Sequence, residues 1–417
     1  MSGAIRKTGS IRKILMISSV IVFLVLILSS IKTTAPTYTR IPNSTSASTG
    51  TEKVNTKNAD NTKINQAEKV EEPVTPAEPE VPLVNGKPFN MTFLIPLTST
   101  HFNFCRSLYT ALINDYPKPT LINWGKTYQT APEARVHKIN GLNDYLHKLD
   151  PNDYVLIMDG FDVWYQLPYR DLVQHYVEMT EQNSHSVAVF GADKKCWPNA
   201  PESPACINIP HSTLPKDAYG PFTDRGSAVA KSRAVFPYNR PRWLNSGNIL
   251  GPASVLQTVY DRANFSISHA NPEDIFSDQL YIADVFGQQD LPMVIDYKSD
   301  LFQTMTFSHS DVIFVDDDVM SSPRKAPSDR RKLAFNKISG VLPPVLHFNG
   351  PKNAMDEWWP KMWWHQERKK PELIEKTKKV FEEGGAYTAE GEFVSWTELC
   401  GTNIDFNVVP KGITHYS

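Results

Sequence analysis

The chain has 417 residues, 41 % of them hydrophobic, and carries a net charge of −2 at neutral pH. This near-neutral balance and the lack of a basic stripe argue against nucleic acid as a partner. The length is sufficient for one large globular domain in addition to a less hydrophobic amino-terminal part.

The amino-terminal residues predict a membrane anchor. Residues Ile14–Ile31 carry no charge and, as a helix, would extend about 27 Å, close to the roughly 30 Å of a bilayer's hydrocarbon core. Basic residues precede this segment, so the positive-inside rule places residues 1–13 in the cytoplasm. A cleaved signal peptide would have a shorter apolar region. We therefore expect a single-pass type II protein of the Golgi or ER membrane, with residues 14–31 in the bilayer and the rest in the lumen.

Residues 32–88 predict a disordered lumenal stem. They are rich in Thr, Ser, Asn, Pro, Lys and Glu, and Tyr38 is their only aromatic residue. Such a composition buries too little apolar surface to offset the entropy lost on ordering. Residues 89–417 then remain for one large α/β domain.

The four cysteines predict disulfide bonds. They form an even set, Cys105, Cys196, Cys206 and Cys400, in a chain that we expect to face an oxidising compartment. Cys196 could pair with Cys206 across a short loop, and Cys105 with Cys400, but the sequence does not choose among the three possible pairings. The alternative is a zinc site, and the chain lacks the CxxC spacing typical of one.

The first part of the domain alternates between strand and helix patterns. In chain order the predicted elements are a strand at Met91–Leu97, a helix at Phe102–Asp115, a strand at Thr120–Trp124, a helix at Val136–Leu149 and a strand at Tyr154–Met158. This alternation predicts a parallel sheet with crossover helices, as in nucleotide-binding folds. No glycine-rich phosphate loop is present, so a metal and side chains would have to bind any phosphate.

Two carboxylates follow the last of these strands. Asp159 and Asp162 lie on a tight turn around Gly160, at the strand end where open α/β sheets bind ligands. Carboxylates this close repel each other and are costly to desolvate, unless a cation lies between them. A divalent metal is the simplest such cation; the alternative is an acidic surface loop.

The middle of the domain offers polar candidates with two interpretations each. A buried strand is predicted at Val187–Gly191. The step Asn245-Ser246-Gly247 suits either hydrogen bonding to a sugar or a plain turn. An amphipathic helix is predicted at Pro272–Phe286 with Asp278 near its start, where an aspartate is often only a cap or a partner of the helix dipole.

The last part of the domain contains three further features. Strands are predicted at Leu291–Tyr297 and Asp311–Val315, and the triplet Asp316–Asp318 is interpreted as the tip of an exposed hairpin, with a second metal site as the alternative. His347 lies on an apolar strand end, where a lone histidine is more often a core residue. Four tryptophans, Trp358, Trp359, Trp363 and Trp364, fit either core packing, which we favour, or an acceptor groove.

Six short sequence blocks follow one another along the predicted domain. They are MDGFDVWYQLP at Met158–Pro168, CWP at Cys196–Pro198, LNSG at Leu244–Gly247, SDQL at Ser277–Leu280, DYKSDLFQTM at Asp296–Met305 and HFNGPK at His347–Lys352. In order and approximate spacing they resemble the glycosyltransferase domain of the lysyl hydroxylase/procollagen glycosyltransferase family. The resemblance covers roughly residues 91–355. It implies a GT-A fold, which is a Rossmann-type, mostly parallel sheet with flanking helices.

The resemblance implies a metal site and a nucleotide-sugar donor. In that family the two aspartates of the acidic turn and the histidine of the last block hold Mn²⁺ on the diphosphate of a UDP-sugar, which corresponds to Asp159, Asp162 and His347 here. A mixed carboxylate and imidazole set suits Mn²⁺ better than Mg²⁺, although Mg²⁺ is possible. The family's aromatic residue that stacks on uracil corresponds to Phe161, which lacks a tyrosine hydroxyl.

Further roles are assigned to the remaining block residues. Asp278 is the candidate acid that positions the donor sugar or the acceptor. The other candidates for donor binding are Asn245 and Ser246 for sugar hydroxyls, Trp197 as an apolar platform, and Lys352 with the backbone near Asn349 and Gly350 for the phosphates. The family's acidic run is shortened to Ser277-Asp278, and its second glycine after LNSG is Asn248.

The predicted function is metal-dependent transfer of a sugar from a UDP-sugar to a glycan or protein acceptor, and the resemblance implies retention of anomeric configuration. We expect no hydroxylase part, so collagen hydroxylysine is not implied as the acceptor. Two alternatives remain open: a non-catalytic glycan-binding protein with this fold, and a metal-dependent phosphohydrolase.

Overall fold

The computed structural model describes residues 83–84, 87–221, 223, 233–317, 330–402 and 404. The predicted cytoplasmic tail, membrane anchor and nearly all of the predicted stem lie outside these residues. Within the described ranges, no helix combines the length and the apolar character needed to cross a bilayer.

The described residues form fifteen strands. They are β1 (Leu83–Val84), β2 (Lys87–Pro88), β3 (Met91–Pro96), β4 (Thr120–Ile122), β5 (Tyr154–Met158), β6 (Val163–Tyr165), β7 (Ala188–Asp193), β8 (Trp243–Pro252), β9 (Met293–Ile295), β10 (Phe302–Thr304), β11 (Val312–Asp316), β12 (Lys332–Asn336), β13 (Val345–His347), β14 (Gly385–Thr388) and β15 (Phe393–Ser395). The strands predicted at the start of the domain are all present.

The same residues form ten α-helices. They are α1 (Phe102–Ile113), α2 (Ala131–Leu146), α3 (Tyr169–Thr180), α4 (Pro204–Ile207), α5 (Ala253–Ser268), α6 (Asp278–Gly287), α7 (Asn353–Trp358), α8 (Trp363–Gln366), α9 (Pro371–Glu383) and α10 (Trp396–Cys400). Short 3₁₀ turns lie at Glu181–Asn183, Arg233–Tyr238, Pro272–Asp274, His309–Asp311 and Trp359–Lys361.

An eight-stranded sheet forms the centre of the domain. Its order is β15-β14-β4-β3-β5-β8-β7-β9. Six of its strands run in one direction, while β8 and β15 are antiparallel to their neighbours. The predicted α/β class with a mostly parallel sheet is therefore confirmed.

Strand β5 is buried on both faces, as its unbroken apolar run predicts. Leu156 and Met158 belong to one hydrophobic cluster, and Val155 and Ile157 belong to another. Successive side chains of a strand point to opposite faces, so these clusters are the two cores that cover the sheet. The carboxylates after Met158 are thus the first polar side chains at the end of this strand.

A smaller sheet brings a distant strand to the acidic turn. Its order is β10-β13-β6, and in the antiparallel pair of β13 with β6 His347 lies opposite Val163. Val163 directly follows Asp162 in the chain. The pairing therefore places His347 beside the acidic turn, although His347 lies 184 positions after Val163 in the chain.

Strand β8 differs from its prediction. The step Asn245-Ser246-Gly247 lies inside a continuous strand whose ten residues are all buried, so the plain-turn interpretation is wrong. The polar side chain of Asn245 is satisfied within the sheet, because its Oδ1 accepts from the Gly247 N–H at 3.0 Å and its Nδ2 donates to Asp193 at 3.1 Å. These bonds let a polar sequence occupy a central strand.

Capping residues set the start of two helices. The Thr130 hydroxyl accepts from the backbone N–H of Glu133, so α2 begins at Ala131, five residues before the predicted start. The Ser277 hydroxyl accepts from the N–H of Gln279, so α6 begins at Asp278. Residues Pro272–Asp274, which the prediction included in this helix, form a separate 3₁₀ turn.

The four clustered tryptophans pack in the core. Each of Trp358, Trp359, Trp363 and Trp364 is at most 7 % exposed. The rings of Trp359 and Trp364 contact Trp164 of β6, with centroids 5.2 and 5.9 Å apart. The core-packing interpretation is confirmed, and an acceptor groove built from these rings is wrong.

Asp316, the first residue of the acidic triplet, ends one strand of an antiparallel pair. Strands β11 and β12 pair antiparallel, with Asp316 opposite Lys332. The Asp316 carboxylate contacts Lys332 Nζ at 2.5 Å and Arg330 Nη1 at 3.6 Å, so it already has two cationic partners. Asp318 lies outside the described residues.

Two disulfides connect Cys105 with Cys400 and Cys196 with Cys206, over sequence separations of 295 and 10 residues. In the chain-entropy account, the longer closed loop restricts the unfolded chain more. We expect serine replacement of the first pair to lower the free energy of unfolding by about 2–4 kcal/mol, and replacement of the second pair to cost less. Urea unfolding of both double variants measures this, and a larger loss for the short loop would contradict it.

Candidate metal centre

Backbone contacts fix the acidic turn from two sides. The N–H of Asp159 donates to the carbonyl of Gly247 in β8 at 2.9 Å. The carbonyl of Asp162 accepts from the N–H of Phe348, which directly follows β13, at 2.7 Å. The turn is therefore held between a strand of the large sheet and the end of a strand of the small one.

Asp159, Asp162 and His347 come together as the sequence predicts. One ligating atom from each lies within 4.8 Å of the others. Nε2 of His347 is 3.3 Å from Oδ2 of Asp162 and 3.8 Å from Oδ2 of Asp159. Two carboxylate oxygens and one imidazole nitrogen thus face a common point.

The surroundings of this point fit a divalent cation. His347 is 2 % exposed, and its buried Nε2 has no hydrogen-bond partner among the described residues. A buried nitrogen without a partner is costly unless a ligand binds it. A Cβ added at Gly247 would lie 2.6 Å from Oδ2 of Asp159 and closer still to the His347 ring. The glycine keeps this space clear of side-chain atoms.

Two lysines compensate the charge of the site. Lys352 forms an ion pair with Asp162. Burial raises the pKa of Asp162, but attraction to His347 and Lys352 outweighs it, so the pKa lies well below its usual range. Asp162 is therefore ionised at neutral pH, as metal coordination requires.

The second lysine connects the metal site with the candidate catalytic acid. Nζ of Lys138 lies 2.8 Å from Asp159 Oδ1 and 2.7 Å from Asp278 Oδ2. Burial lowers the pKa of Lys138, but the two carboxylates raise it above its ordinary value, so it remains charged. Asp278 is thus held beside Asp159 through one shared cation. The sequence places Lys138 on a predicted helix but gives no signal of this contact.

This shared cation leads to a prediction on stability. We expect Lys138→Met and Asp278→Asn to be non-additive, with a coupling free energy of about 0.5–3 kcal/mol, because each change removes the same ion pair. Urea unfolding of the wild type, both single variants and the double variant measures the coupling. Strict additivity would show that the contact does not contribute to stability.

Asp193 connects two of the predicted donor-binding amides. Its Oδ1 accepts from Asn349 Nδ2 at 2.8 Å and its Oδ2 from Asn245 Nδ2 at 3.1 Å. Burial raises the pKa of Asp193, and these amide bonds oppose the rise. Asp193 was not among the predicted site residues. It is the last residue of the buried strand β7, and this position, similar to that of Asp159 directly after β5, was the available signal.

Asn349 and Gly350 stabilise the backbone beside the site. Oδ1 of Asn349 accepts from the N–H groups of Met305 and Thr306 at 2.9 and 3.0 Å. Gly350 has a φ of 84°, and a Cβ there would lie 2.5 Å from Oγ1 of Thr306. Both residues therefore have structural contacts, and their role toward phosphates stays a prediction.

A glutamine joins three blocks on the other side of the site. Oε1 of Gln279 accepts from the N–H of Ser246 at 3.1 Å, and its Nε2 donates to the carbonyl of Trp197 at 2.6 Å. Trp197 and Phe161 are 51 % and 41 % exposed, so part of each residue is accessible to a ligand. Their roles toward a donor, like that of Ser246, stay predictions.

Comparisons with known proteins show limited similarity. No known protein family matches the chain. The uncharacterized protein R699 of Acanthamoeba polyphaga mimivirus is 22 % identical over 218 residues, which are 52 % of this chain and only 36 % of that protein. A crystal structure of a glycosyltransferase involved in the glycosylation of the major capsid of PBCV-1 matches with a TM-score of 0.36 and 8 % identity, over 64 % of this chain and 98 % of that one. At these levels of similarity no family is assigned.

Proposed function

We propose that this protein is a metal-dependent glycosyltransferase that moves a sugar from a UDP-sugar to a glycan or protein acceptor. The observation that carries the proposal is the cluster of Asp159, Asp162 and His347 at the carboxyl end of a central strand. In sequence, two of these residues belong to the first of the six blocks and the third to the last. A shared metal ion would give these residues, which lie far apart in the chain, a common role.

Contacts of the other blocks support the same proposal. Gln279 joins Ser246 to Trp197, Asp193 joins Asn245 to Asn349, and Asn349 also binds the end of the fifth block. All six blocks are therefore linked by hydrogen bonds or ion pairs around the metal-ligand cluster. The expected retention of configuration follows from the family resemblance alone.

The chain's own groups suggest a division of roles. When bound, a divalent cation, Mn²⁺ by the choice of ligands, would supply the charge that neutralises a departing diphosphate. Lys352 pairs with Asp162, and in the presence of a donor it would bind a phosphate oxygen instead, through a charge-assisted hydrogen bond. Lys138 keeps Asp278 oriented beside Asp159. The exposed rings of Phe161 and Trp197 offer faces on which a base and a sugar can stack.

The two other candidate functions receive less support. A metal-dependent phosphohydrolase normally needs a nucleophile or a second metal site. Among the described residues, the only cluster of His, Cys, Asp or Glu side chains suited to a metal is Asp159, Asp162 and His347, so a second site is not seen there. A non-catalytic glycan-binding protein would not need an intact ligand set with a lysine-paired acid next to it. The membrane anchor and a Golgi or ER location remain expectations from the sequence.

Release of UDP from a panel of UDP-sugars in the presence of Mn²⁺ tests the proposal. We expect turnover with one donor and its loss in Asp159→Ala and His347→Ala, while Asp316→Ala, which removes an ion-paired hairpin carboxylate, serves as the matched control. Cleavage of phosphate esters without use of nucleotide sugars would favour the hydrolase. Tight glycan binding without turnover would favour the binding protein.

Donor choice can be screened by thermal shift. A cognate donor at a hundred times its dissociation constant stabilises the folded state by about 2.7 kcal/mol. We expect this shift for one UDP-sugar with Mn²⁺ and its loss in the presence of EDTA. A shift that is equal with and without metal would contradict a metal-bridged diphosphate.

A further inference from the structure

The side chain of Asn248 contacts the second ring nitrogen of the metal-ligand histidine. Nδ2 of Asn248 lies 2.8 Å from Nδ1 of His347. Asn248 is fully buried and His347 is 2 % exposed, so water does not readily replace this contact. The amide therefore controls the hydrogen bonding of the ring on the side away from the aspartates.

In this orientation of the Asn248 amide, two buried atoms have no hydrogen bond. Oδ1 of Asn248 and Nε2 of His347 both lack partners among the described residues. With Nδ2 donating to Nδ1, a neutral ring carries its proton on Nε2, which lies 3.3 Å from Oδ2 of Asp162 without forming a hydrogen bond to it. A protonated Nε2 cannot bind a metal.

Rotation of the amide by half a turn exchanges its oxygen and nitrogen at nearly unchanged shape. Oδ1 then accepts a hydrogen bond from Nδ1–H of His347. The neutral ring keeps one proton, which now lies on Nδ1, and the Nε2 lone pair faces the two carboxylates. The same two side chains thus provide an arrangement without metal and one that binds metal.

Two neighbouring strands enclose the amide of Asn248, and one of them places a glycine beside it. Asn248 pairs across the sheet with Met158, directly before the acidic turn. On its other side lies Gly191, where an added Cβ would be 3.1 Å from Asn248 Nδ2. The pairing of β7 with β8 shifts register between Phe190 and Gly191. A glycine at this irregular position makes space for an amide in a central strand.

We propose that Asn248 is a positioning residue for metal binding, which accepts the Nδ1–H bond of His347 and so presents Nε2 to the cation. Hydrogen-bond acceptors behind a metal-bound histidine commonly fix its tautomer, and their loss lowers metal affinity about 10–100-fold. The inference rests on the metal site of the proposed function, but on neither the donor nor the acceptor of the sugar. In the family that the sequence resembles, this position is a glycine, which has no side chain and cannot form this contact to the histidine.

Mn²⁺ titration followed by the electron paramagnetic resonance signal of the free ion tests the inference without enzymatic turnover. Asn248→Leu keeps the volume but removes the acceptor, and we expect its dissociation constant to rise about 10–100-fold. Asn248→Asp keeps an acceptor and loses the donor, and we expect its affinity to equal or exceed that of the wild type. Asn114→Leu removes a buried amide that donates to the carbonyls of Thr110 and Tyr165, and serves as the matched control with unchanged affinity.

Selective ¹⁵N labelling of histidine gives a second readout. We expect the His347 ring of the wild type to carry its proton on Nδ1 when a diamagnetic divalent ion such as Zn²⁺ is bound, with His347→Gln used for assignment. Unchanged Mn²⁺ affinity in Asn248→Leu, or Asn248→Asp binding as weakly as Asn248→Leu, would overturn the inference. Absence of Mn²⁺ binding in the wild type would overturn the metal site itself, whereas metal binding without sugar transfer would overturn only the proposed reaction.

Discussion

Replacing Gly247 by alanine is expected to weaken Mn²⁺ binding at least about 100-fold while the domain stays folded. An added Cβ would lie 2.6 Å from Oδ2 and 3.1 Å from Cγ of Asp159, and closer still to Cε1 of His347. All three atoms belong to side chains, and we expect these side chains to shift while the backbone of β8 stays in place. Two of the three metal ligands would therefore be displaced, and the transfer activity would fall with the metal affinity.

Gly160, which lies in the acidic turn itself, provides the matched control. A Cβ on Gly160 would lie 3.1 Å from methyl groups of Ile95 and Leu97, and neither Asp162 nor His347 is among its three nearest contacts. We expect Gly160→Ala to keep its Mn²⁺ affinity within a few-fold of the wild type, measured by the same titration. Tight Mn²⁺ binding by Gly247→Ala, with both variants melting cooperatively, would show that the metal does not lie between Asp159 and His347.

Local patterns in the sequence were sufficient to predict much of the fold. The unbroken apolar run of β5 gave a strand buried on both faces, and the abrupt change to Asp159 and Asp162 located one half of the site. The register of a strand pair is a long-range property, so composition could not connect these acids to His347. Only the resemblance to a glycosyltransferase family implied that connection, and the pairing of β13 with β6 supplies the physical reason.

The residues that the sequence did not reveal act through tertiary contacts. Lys138 resembles any lysine on a helix until α2 packs beside the acidic turn. Asp193 and Asn248 are polar residues of buried strands, whose partners come from other strands of the fold. The polar character of Asn245 was visible in the sequence, but its hydrogen bonds were not. Its partner Asp193 lies 52 positions earlier in the chain, and its bond to the Gly247 N–H forms within β8 itself.

Replacing Lys194 by methionine is expected to lower the free energy of unfolding by about 3–5 kcal/mol. Nζ of Lys194 lies 2.6 Å from Oδ2 of Asp311 and donates to the carbonyl of Pro237 at 2.6 Å, and both members of the ion pair are buried. The single change leaves the Asp311 carboxylate buried without its cation. The double variant Lys194→Met/Asp311→Leu removes both charges, and we expect it to recover most of the loss. Urea unfolding measures both, and equal losses in the single and double variants would contradict the ion pair as the cause.

The pH dependence of this stability follows from the same burial. Burial lowers the pKa of Lys194 to about 8, although attraction to Asp311 opposes the change, whereas the ordinary value is 10.5. Between these two values the unfolded chain binds a proton that the folded protein has released, so the free energy of unfolding rises with pH. The free energy of unfolding of the wild type minus that of the double variant should therefore rise by about 3 kcal/mol from below pH 8 to above pH 10.5. If this difference stays constant, the pKa of Lys194 is the same in the folded and the unfolded protein. That result would contradict a pKa lowered by burial.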